Sequence, residues 1–215
     1  MIKTTIALLA SLALLPAGCR VGGIRGNGNI VTDQRTVGDF SEIEASGALQ
    51  IEWRNGPPSL SITTDQNLLS HIDDQLTGKR LRLKSHGNMW PTQRIKVAIS
   101  SPVRVGAKLS GATRLTAPAL SGAKFAIESS GATNLSLDGA VDQLLVDMTG
   151  ASKLNAESLK TKIAELSTTG AANADVAVSD SLKVSITGAG KVTYSGNPAT
   201  VEKSVTGAGK IHHKD

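Results

Sequence analysis

A regularly spaced set of cations and amides has the clearest chemical potential in this sequence. Each member stands three places after the glycine of a Ser/Thr-Gly-Ala step that recurs through the second half of the chain. Cations aligned on one surface attract an anionic polymer such as lipopolysaccharide. Charged side chains at strand rims also keep strands from pairing with other chains, so both roles stay open. We name this set the basic row: Arg114, Asn134, Lys153, Asn173, Lys191 and Lys210.

Two glycine-lysine pairs, Gly190-Lys191 and Gly209-Lys210, resemble the end of a phosphate-binding loop. That loop has a further glycine five residues before the one that precedes lysine, and a Ser or Thr after the lysine. Serines occupy the first of these positions here, and aliphatic residues occupy the last. Nothing predicts a helix whose N-terminus would hold a phosphate. The sequence therefore predicts no nucleotide binding.

Carboxylates and histidines are too dispersed to predict catalysis or metal binding. Asp138, Asp142 and Asp147 fall within one repeat, but we expect no acid beside them in the adjacent repeats, as a pair that cleaves a polysaccharide would need. The pair His212-His213 lacks a third metal ligand. We expect no catalytic residues, no metal, no cofactor and no nucleic-acid partner. A polysaccharide-active β-helix enzyme stays an alternative.

The recurring glycine step determines the elements that position these residues. Its glycines are separated by 20, 19, 20, 18 and 19 residues, and such a period indicates a repeat architecture. Positions two, four and six before each glycine, and four after it, are mostly aliphatic. Short strands that stack in phase, one repeat per turn, explain both features. The steps are Ser110-Gly111-Ala112, Ser130-Gly131-Ala132, Thr149-Gly150-Ala151, Thr169-Gly170-Ala171, Thr187-Gly188-Ala189 and Thr206-Gly207-Ala208.

Equivalent aliphatic positions of successive repeats would stack in columns. These columns predict an all-β protein in which residues 101–215 form a parallel β-helix with repeats of about 19 residues. A right-handed coil follows from the usual preference of parallel crossovers. Aromatic residues make up only 2% of the chain, so the core must consist of Val, Leu, Ile and Ala. At each step we expect glycine to allow a bend, alanine to fill a tight interior, and the hydroxyl to satisfy neighbouring backbone groups. A β-sandwich is less favoured, because antiparallel strands do not need identical neighbours.

Residues 26–100 are expected to form a β-rich N-terminal portion that caps or continues the helix. Apolar and polar residues alternate over residues 48–53, which is typical of a half-buried strand. Asp65 is expected to cap a short helix over residues 66–72. Only four residues follow Ile211, so we expect an open C-terminal end that is available for a partner or for a homodimer.

Residues 1–18 have the pattern of a signal peptide, with one charge at Lys3 and then an apolar run too short to span a bilayer. The run leads to Cys19, the single cysteine, in a sequence that resembles a bacterial lipobox apart from Pro16. We expect acylation of Cys19, a lipidated tether over residues 19–25, and attachment to a membrane without spanning it. By resemblance to Gram-negative sorting, Arg20 favours the outer membrane. Ordinary secretion, giving a periplasmic or secreted protein, is the alternative.

Several segments together resemble a known bacterial family. They are residues 26–31, 39–40, 42–48 and 64–69, followed by the recurring glycine steps. The family is the head GIN domain of autotransporter adhesins, a domain of unknown function, and the resemblance covers roughly residues 26–211. It implies a secreted or lipid-anchored envelope protein with a parallel β-helical structure.

The sequence thus predicts a non-enzymatic, lipid-anchored protein of the bacterial cell envelope that acts in adhesion or as an interaction scaffold. Its expected partners are the membrane, through the lipid, and an anionic envelope polymer or another protein. The net charge of +5 is dispersed and adds only a weak attraction to anionic surfaces. A soluble periplasmic binding module is a further alternative.

Overall fold

A computed structural model describes residues 22–214, so the predictions for residues 1–18 and for Cys19 lie outside the described residues. This range contains one helix, the 3₁₀ helix Gln66–His71, and no helix in it is long and apolar enough to cross a membrane. The strands are β1 (Ile24–Arg25), β2 (Ile30–Arg35), β3 (Glu42–Gly47), β4 (Leu49–Asn55), β5 (Ser59–Asp65), β6 (Ile72–Thr77), β7 (Arg80–Ser85), β8 (Met89–Trp90), β9 (Ile95–Ser101), β10 (Gly106–Gly111), β11 (Arg114–Gly131), β12 (Asn134–Gly150), β13 (Lys153–Gly170), β14 (Asn173–Gly188), β15 (Lys191–Ser195), β16 (Thr200–Gly207) and β17 (Lys210–Lys214).

The strand pairing confirms the predicted parallel β-helix, which makes about five turns. Strands β10 to β14 pair in parallel, each with the strand of the next coil, and the glycines of successive steps lie opposite each other. The recurring glycines consequently stack in one column from Gly111 to Gly207. A seventh step joins this column, because Gly47 lies opposite Gly111. The repeat count missed Gly47 because strands β4 to β9 intervene in the sequence.

Each stacked glycine permits a positive φ and a close approach of two backbones. At Gly150 φ is 102°, and a Cβ atom there would lie 2.6 Å from the carbonyl oxygen of Gly131. Only glycine fits such a position without a shift of the backbone. The N–H of the following residue, Ala151, donates to that same carbonyl at 2.9 Å. The glycine column is therefore both the bend and a line of backbone hydrogen bonds.

The expected role of the alanines is wrong. The alanine that follows each stacked glycine is exposed, because the bend turns its side chain outward. The next residue along the chain enters the interior instead, and it is small in the five repeats from Gly111 to Gly188. These buried residues are Thr113, Thr133, Ser152, Ala172 and Gly190.

The aliphatic columns form one continuous core inside the coil. Phe125, Leu144, Ala164 and Leu182 occupy one such column and are fully buried. The column ends at Val201, which is 38% exposed. The core thus becomes more exposed in the last coil, on which no further strand of residues 22–214 stacks.

The N-terminal portion both continues and closes the coil, as predicted. Strands β3 and β4 pair in parallel with β10 and β11, and β7 and β9 extend the two sides in the same direction. The direction then reverses, since β6, β5 and β2 each pair antiparallel with a neighbour. Three aromatic rings fill this end, with the centroid of Trp53 at 6.1 Å from those of Phe40 and Phe125.

Asp65 does not cap the 3₁₀ helix, contrary to the prediction. Its carboxylate accepts hydrogen bonds from the backbone N–H of Gly28 at 2.8 Å and from the N–H and hydroxyl of Thr92 at 2.9 and 2.7 Å. Burial acts to raise the pKa of Asp65, but these hydrogen bonds outweigh it, so the pKa lies below its ordinary value. Asp65 therefore ties two loops to β5.

Arg104 connects the N-terminal portion to the first repeat. Its side chain is buried, and its guanidinium donates to the carbonyl oxygens of Trp53, Pro118 and Ala119 at 2.9, 2.8 and 2.6 Å. Burial lowers the pKa of Arg104, yet the three carbonyls satisfy its donors. The two regions consequently share one core.

Candidate binding surface

The structure brings the six residues of the basic row into one line. Each residue lies opposite the next in the parallel register, from Arg114 and Asn134 through to Lys191 and Lys210. All six side chains are exposed. Because neighbouring strands are about 4.8 Å apart, the five steps of the row span about 24 Å. The alignment follows from the glycine column, since every member stands at the same distance from a stacked glycine.

Two further residues extend the row towards the N-terminal end. Gln50 lies opposite Arg114, and Lys96 lies opposite Gln50. Sequence reasoning missed both, because Gly47 was not counted as a step and β9 carries no glycine step. The alternation within residues 48–53 was the available signal for Gln50. The extended row has five cations and three amides, and its seven steps span about 34 Å.

The cations of the extended row have no acidic partner within residues 22–214. Elsewhere on the coil, some lysines are paired: Lys108 contacts Glu128, and Lys162 contacts Asp142, each at 2.7 Å. Those hydrogen bonds raise the pKa of both lysines. An unpaired cation leaves its field available to an incoming anion, and the row places five such cations on one line.

The amides separate most of the cations from one another. Asn134 stands between Arg114 and Lys153, and Asn173 stands between Lys153 and Lys191. Like charges directly opposite each other would destabilise the sheet, and here only Lys191 and Lys210 are so placed. Spaced cations with amide donors between them can contact successive anionic groups of a polymer.

The outward hydroxyl ladder does not satisfy backbone groups, contrary to the prediction. The seven hydroxyls from Ser46 to Thr206 stack in register, yet their oxygens make no hydrogen bond within the described residues. Inward hydroxyls take that role: Thr113 donates to the carbonyl oxygen of Gly47 at 3.1 Å, and Ser152 to that of Gly131 at 3.4 Å. The ladder therefore faces solvent.

One acid does stand beside Asp147, which corrects the expectation that none would. Glu128 lies opposite Asp147 in the adjacent strand. Glu128 is engaged by Lys108 at 2.7 Å, so the two carboxylates are not a free acid-base pair. Within residues 22–214, no group of three or more possible metal ligands is present.

Side chains cover the C-terminal end of the core. Lys203 stands in a column that is aliphatic in the earlier coils, opposite Val184. Its ammonium lies 5.0 Å from the centroid of the Tyr194 ring and 3.2 Å from its hydroxyl. His213 stacks on the same ring with the centroids 4.6 Å apart. An inward charge on an edge strand discourages pairing with another chain, and the homodimer through this end stays a prediction.

Comparison with known families identifies one that spans most of the coil. The family described as "Putative auto-transporter adhesin, head GIN domain" matches residues 39–198. A comparison with curated proteins found no match.

Three solved structures have the same fold. A "putative adhesin" from Bacteroides fragilis has a TM-score of 0.72 and 19% identity, over 89% of this chain and 100% of that one. A "putative adhesin" from Parabacteroides merdae has a TM-score of 0.60 and 20% identity, over 90% and 99% of the two chains. A "putative lipid binding protein" from Parabacteroides distasonis has a TM-score of 0.56 and 19% identity, over 90% and 100%. At these identities the likeness establishes the fold alone.

Proposed function

Because the chain belongs to the head GIN domain family of auto-transporter adhesins, we propose that it is a non-enzymatic protein of the bacterial cell envelope. In this proposal, lipid on Cys19 holds the protein to the outer membrane, and the extended basic row binds an anionic envelope polymer such as lipopolysaccharide. The coil is the scaffold that sets the spacing of the row.

The observation that carries the binding role is the line of unpaired cations. Five cations on one line have no acidic partner within the described residues, although the chain has 18 acidic residues. The adjacent column on the same face, from Ala98 to His212, includes only two acids, Glu52 and Asp175, and Glu52 is engaged by Arg54 at 2.7 Å. A polymer with repeated anionic groups would gain from several weak contacts at once, as in any multivalent interaction.

The anchoring role is supported by the position of the N-terminus in the fold. β1 begins five residues after Cys19 and pairs with β8 at the end of the molecule opposite to β17. Trp90 in β8 is 56% exposed, and its indole lies against Gly23. Exposed tryptophan is favoured at a membrane-water interface. A lipid on Cys19 would place this end at the membrane, with the basic row running away from it.

Charge reversal in the row tests the binding role. We expect Lys153→Glu/Lys191→Glu to weaken binding to lipopolysaccharide at low salt by roughly tenfold or more, as several kT of local potential are inverted. The matched control is Lys84→Glu/Lys124→Glu, which changes the net charge equally but lies off the row. Equal losses in the two double variants would mean that net charge, and not the row, governs binding.

Metabolic labelling with a fatty acid tests the anchor. The wild type should incorporate the label and fractionate with the outer membrane, and Cys19→Ala should lose both properties. Cys19→Ser is a matched control that also lacks the thiol and should behave as Cys19→Ala does. An unlabelled wild type would overturn the anchor and leave the binding role of the row to be judged by the first experiment.

A further inference from the structure

A groove lies at the second bend of the coil, away from the basic row. It has a volume of about 940 Å³ and crosses five consecutive strand segments, from Gly122 to Asn197. Volumes of this size are typical of small-molecule sites, which are mostly apolar with a few polar groups. The buried side chains of Val141, Thr161 and Val178 stand side by side in the groove.

Small residues create the groove by leaving space above this floor. Ala140, Lys160, Ala177 and Ser195 follow one another in a single column, so three of these four positions carry side chains too short to fill the bend. Register shifts in β13 accompany the bend, between Ala156 and Lys160. The coil is thus concave along a line parallel to its axis.

Lys160 is the charged group in that column, with an alanine on either side of it. It is exposed and has no ionic partner within the described residues, whereas the other lysine of the groove, Lys162, is held by Asp142 at 2.7 Å. A lysine can lay its four-carbon stem along an apolar surface while its ammonium stays free. Lys160 can therefore move its charge along the groove to meet an anionic head group.

We propose that this groove binds an anionic single-chain amphiphile. Its hydrocarbon chain lies along the floor formed by Val141, Thr161 and Val178, and its anionic head lies at Lys160. Four strand spacings of about 4.8 Å give the groove a length of about 19 Å. The hydrocarbon of one membrane leaflet is about 15 Å thick, half of the bilayer core, so one acyl chain fits that length.

The chemistry of the groove favours this occupant over a peptide. Val141 and Thr161 of the floor are paired on both sides within the sheet, and Val178 is paired with Thr161, so an added peptide strand would find few free backbone groups there. The floor offers apolar contact in the middle and one mobile cation, and a fatty acid presents the complementary pattern.

Titration with laurate, below its micelle concentration, tests the proposal on the purified full chain, after thermal unfolding has shown that each variant folds. We expect saturable binding that Lys160→Gln weakens by about tenfold, in line with the loss of one charged contact. Ala140→Trp, which fills the groove, should weaken it at least as much. The matched controls Lys84→Gln, at an exposed lysine of β7, and Ala151→Trp, at an exposed alanine of the glycine bend, should bind like the wild type.

Two further ligands identify the source of the head group. Dodecanol, which has the same chain without a charge, should bind more weakly than laurate and should not respond to Lys160→Gln. Lysophosphatidylglycerol that binds more tightly than laurate would indicate a membrane lipid as the natural source, and the reverse order would indicate free fatty acid. Absence of saturable laurate binding, or binding unchanged in both groove variants, would overturn the proposal. The row variants test the proposed adhesion separately, so the two can fail independently.

Discussion

The two ends of the coil are closed by different means. At the N-terminal end, strands reverse direction and pair antiparallel, and three aromatic rings pack beneath them. At the C-terminal end, β16 and β17 are edge strands, and the ring of Tyr194 with Lys203 and His213 covers the core. The chain thus closes one end with backbone and the other with side chains.

This difference indicates which end holds the fold together. An antiparallel cap satisfies backbone groups and buries large apolar area, whereas a few polar side chains mainly discourage pairing with other chains. In a repeat protein, stability is a sum of coil and interface terms, so a weak end can fray without unfolding the rest. We expect the N-terminal end to determine global stability and the C-terminal end to determine association.

Removal of an aromatic side chain at each end should give the largest difference. Trp53→Ala leaves a cavity in the shared core and loses the hydrogen bond to Ser101 at 2.9 Å, so the free energy of unfolding should fall by about 4 kcal/mol. Tyr194→Ala should cost about 2 kcal/mol, because one side of its ring has only side chains to pack against. Urea unfolding monitored by circular dichroism measures both, and equal costs would remove the distinction between the ends.

Substitution of alanine in the glycine column should also cost more stability inside the coil than at its C-terminal end. Gly150→Ala forces a Cβ atom against the backbone of Gly131 in the middle of the coil, where neither strand can shift, and should cost about 3 kcal/mol. Gly207→Ala meets a similar contact with Gly188, but the outer strand is free to move, so about 1 kcal/mol is expected. Thermal unfolding of the two variants checks the order. A larger cost at Gly207 would contradict it.

Acid should weaken the N-terminal end through Asp65. Its pKa in the folded protein lies below the ordinary value, so the unfolded chain takes up a proton first as the pH falls. The stabilisation is therefore complete above the ordinary pKa of about 3.9 and is lost as the pH falls through the folded value. Asp65→Asn should be less stable than wild type at neutral pH, and the gap should narrow towards pH 3. Urea titrations across this range measure the gap, and a constant gap would show that charge is not the cause.

The smallest change in stability, with a change in association, is expected at Lys203. Lys203→Val continues the aliphatic column to the edge and removes a cation-π contact of about 0.5–1 kcal/mol. The variant should keep nearly the stability of wild type, but its exposed apolar edge should self-associate. Sedimentation velocity over a range of concentrations measures this. Lys124→Val, on the outward side of β11, is the control and should self-associate no more than the wild type does.

The parallel coil and the alignment of the basic row could be predicted, because both follow from one period in the sequence. Six stacked glycines fix the register, and the register places Arg114 beside Asn134 whatever the rest of the chain does. The direction of the side chains at the bend could not be predicted in the same way. A glycine with positive φ reverses the alternation, so Ala112 points outward and Thr113 inward.

Contacts between segments that are distant in the sequence could not be predicted from the repeat period either. Asp65 has the sequence context of a helix cap, yet the N–H groups that it accepts from belong to Gly28 and Thr92. The proximity of Glu128 to Asp147, by contrast, was within reach of the period, because each stands three places before a stacked glycine. The groove around Lys160 depends on irregular coil lengths, and those leave no periodic signal.

The contact of each glycine with the carbonyl oxygen of its predecessor also constrains how this protein can change in length. An insertion of one residue between two glycines must be absorbed at the second bend, where the register already shifts. Insertion of a whole repeat preserves every contact and moves the last lysine outward by about 4.8 Å. The length of the basic row beyond the N-terminal end is therefore counted in whole coils, and gain or loss of a repeat is a direct route to a longer or shorter protein of the same kind.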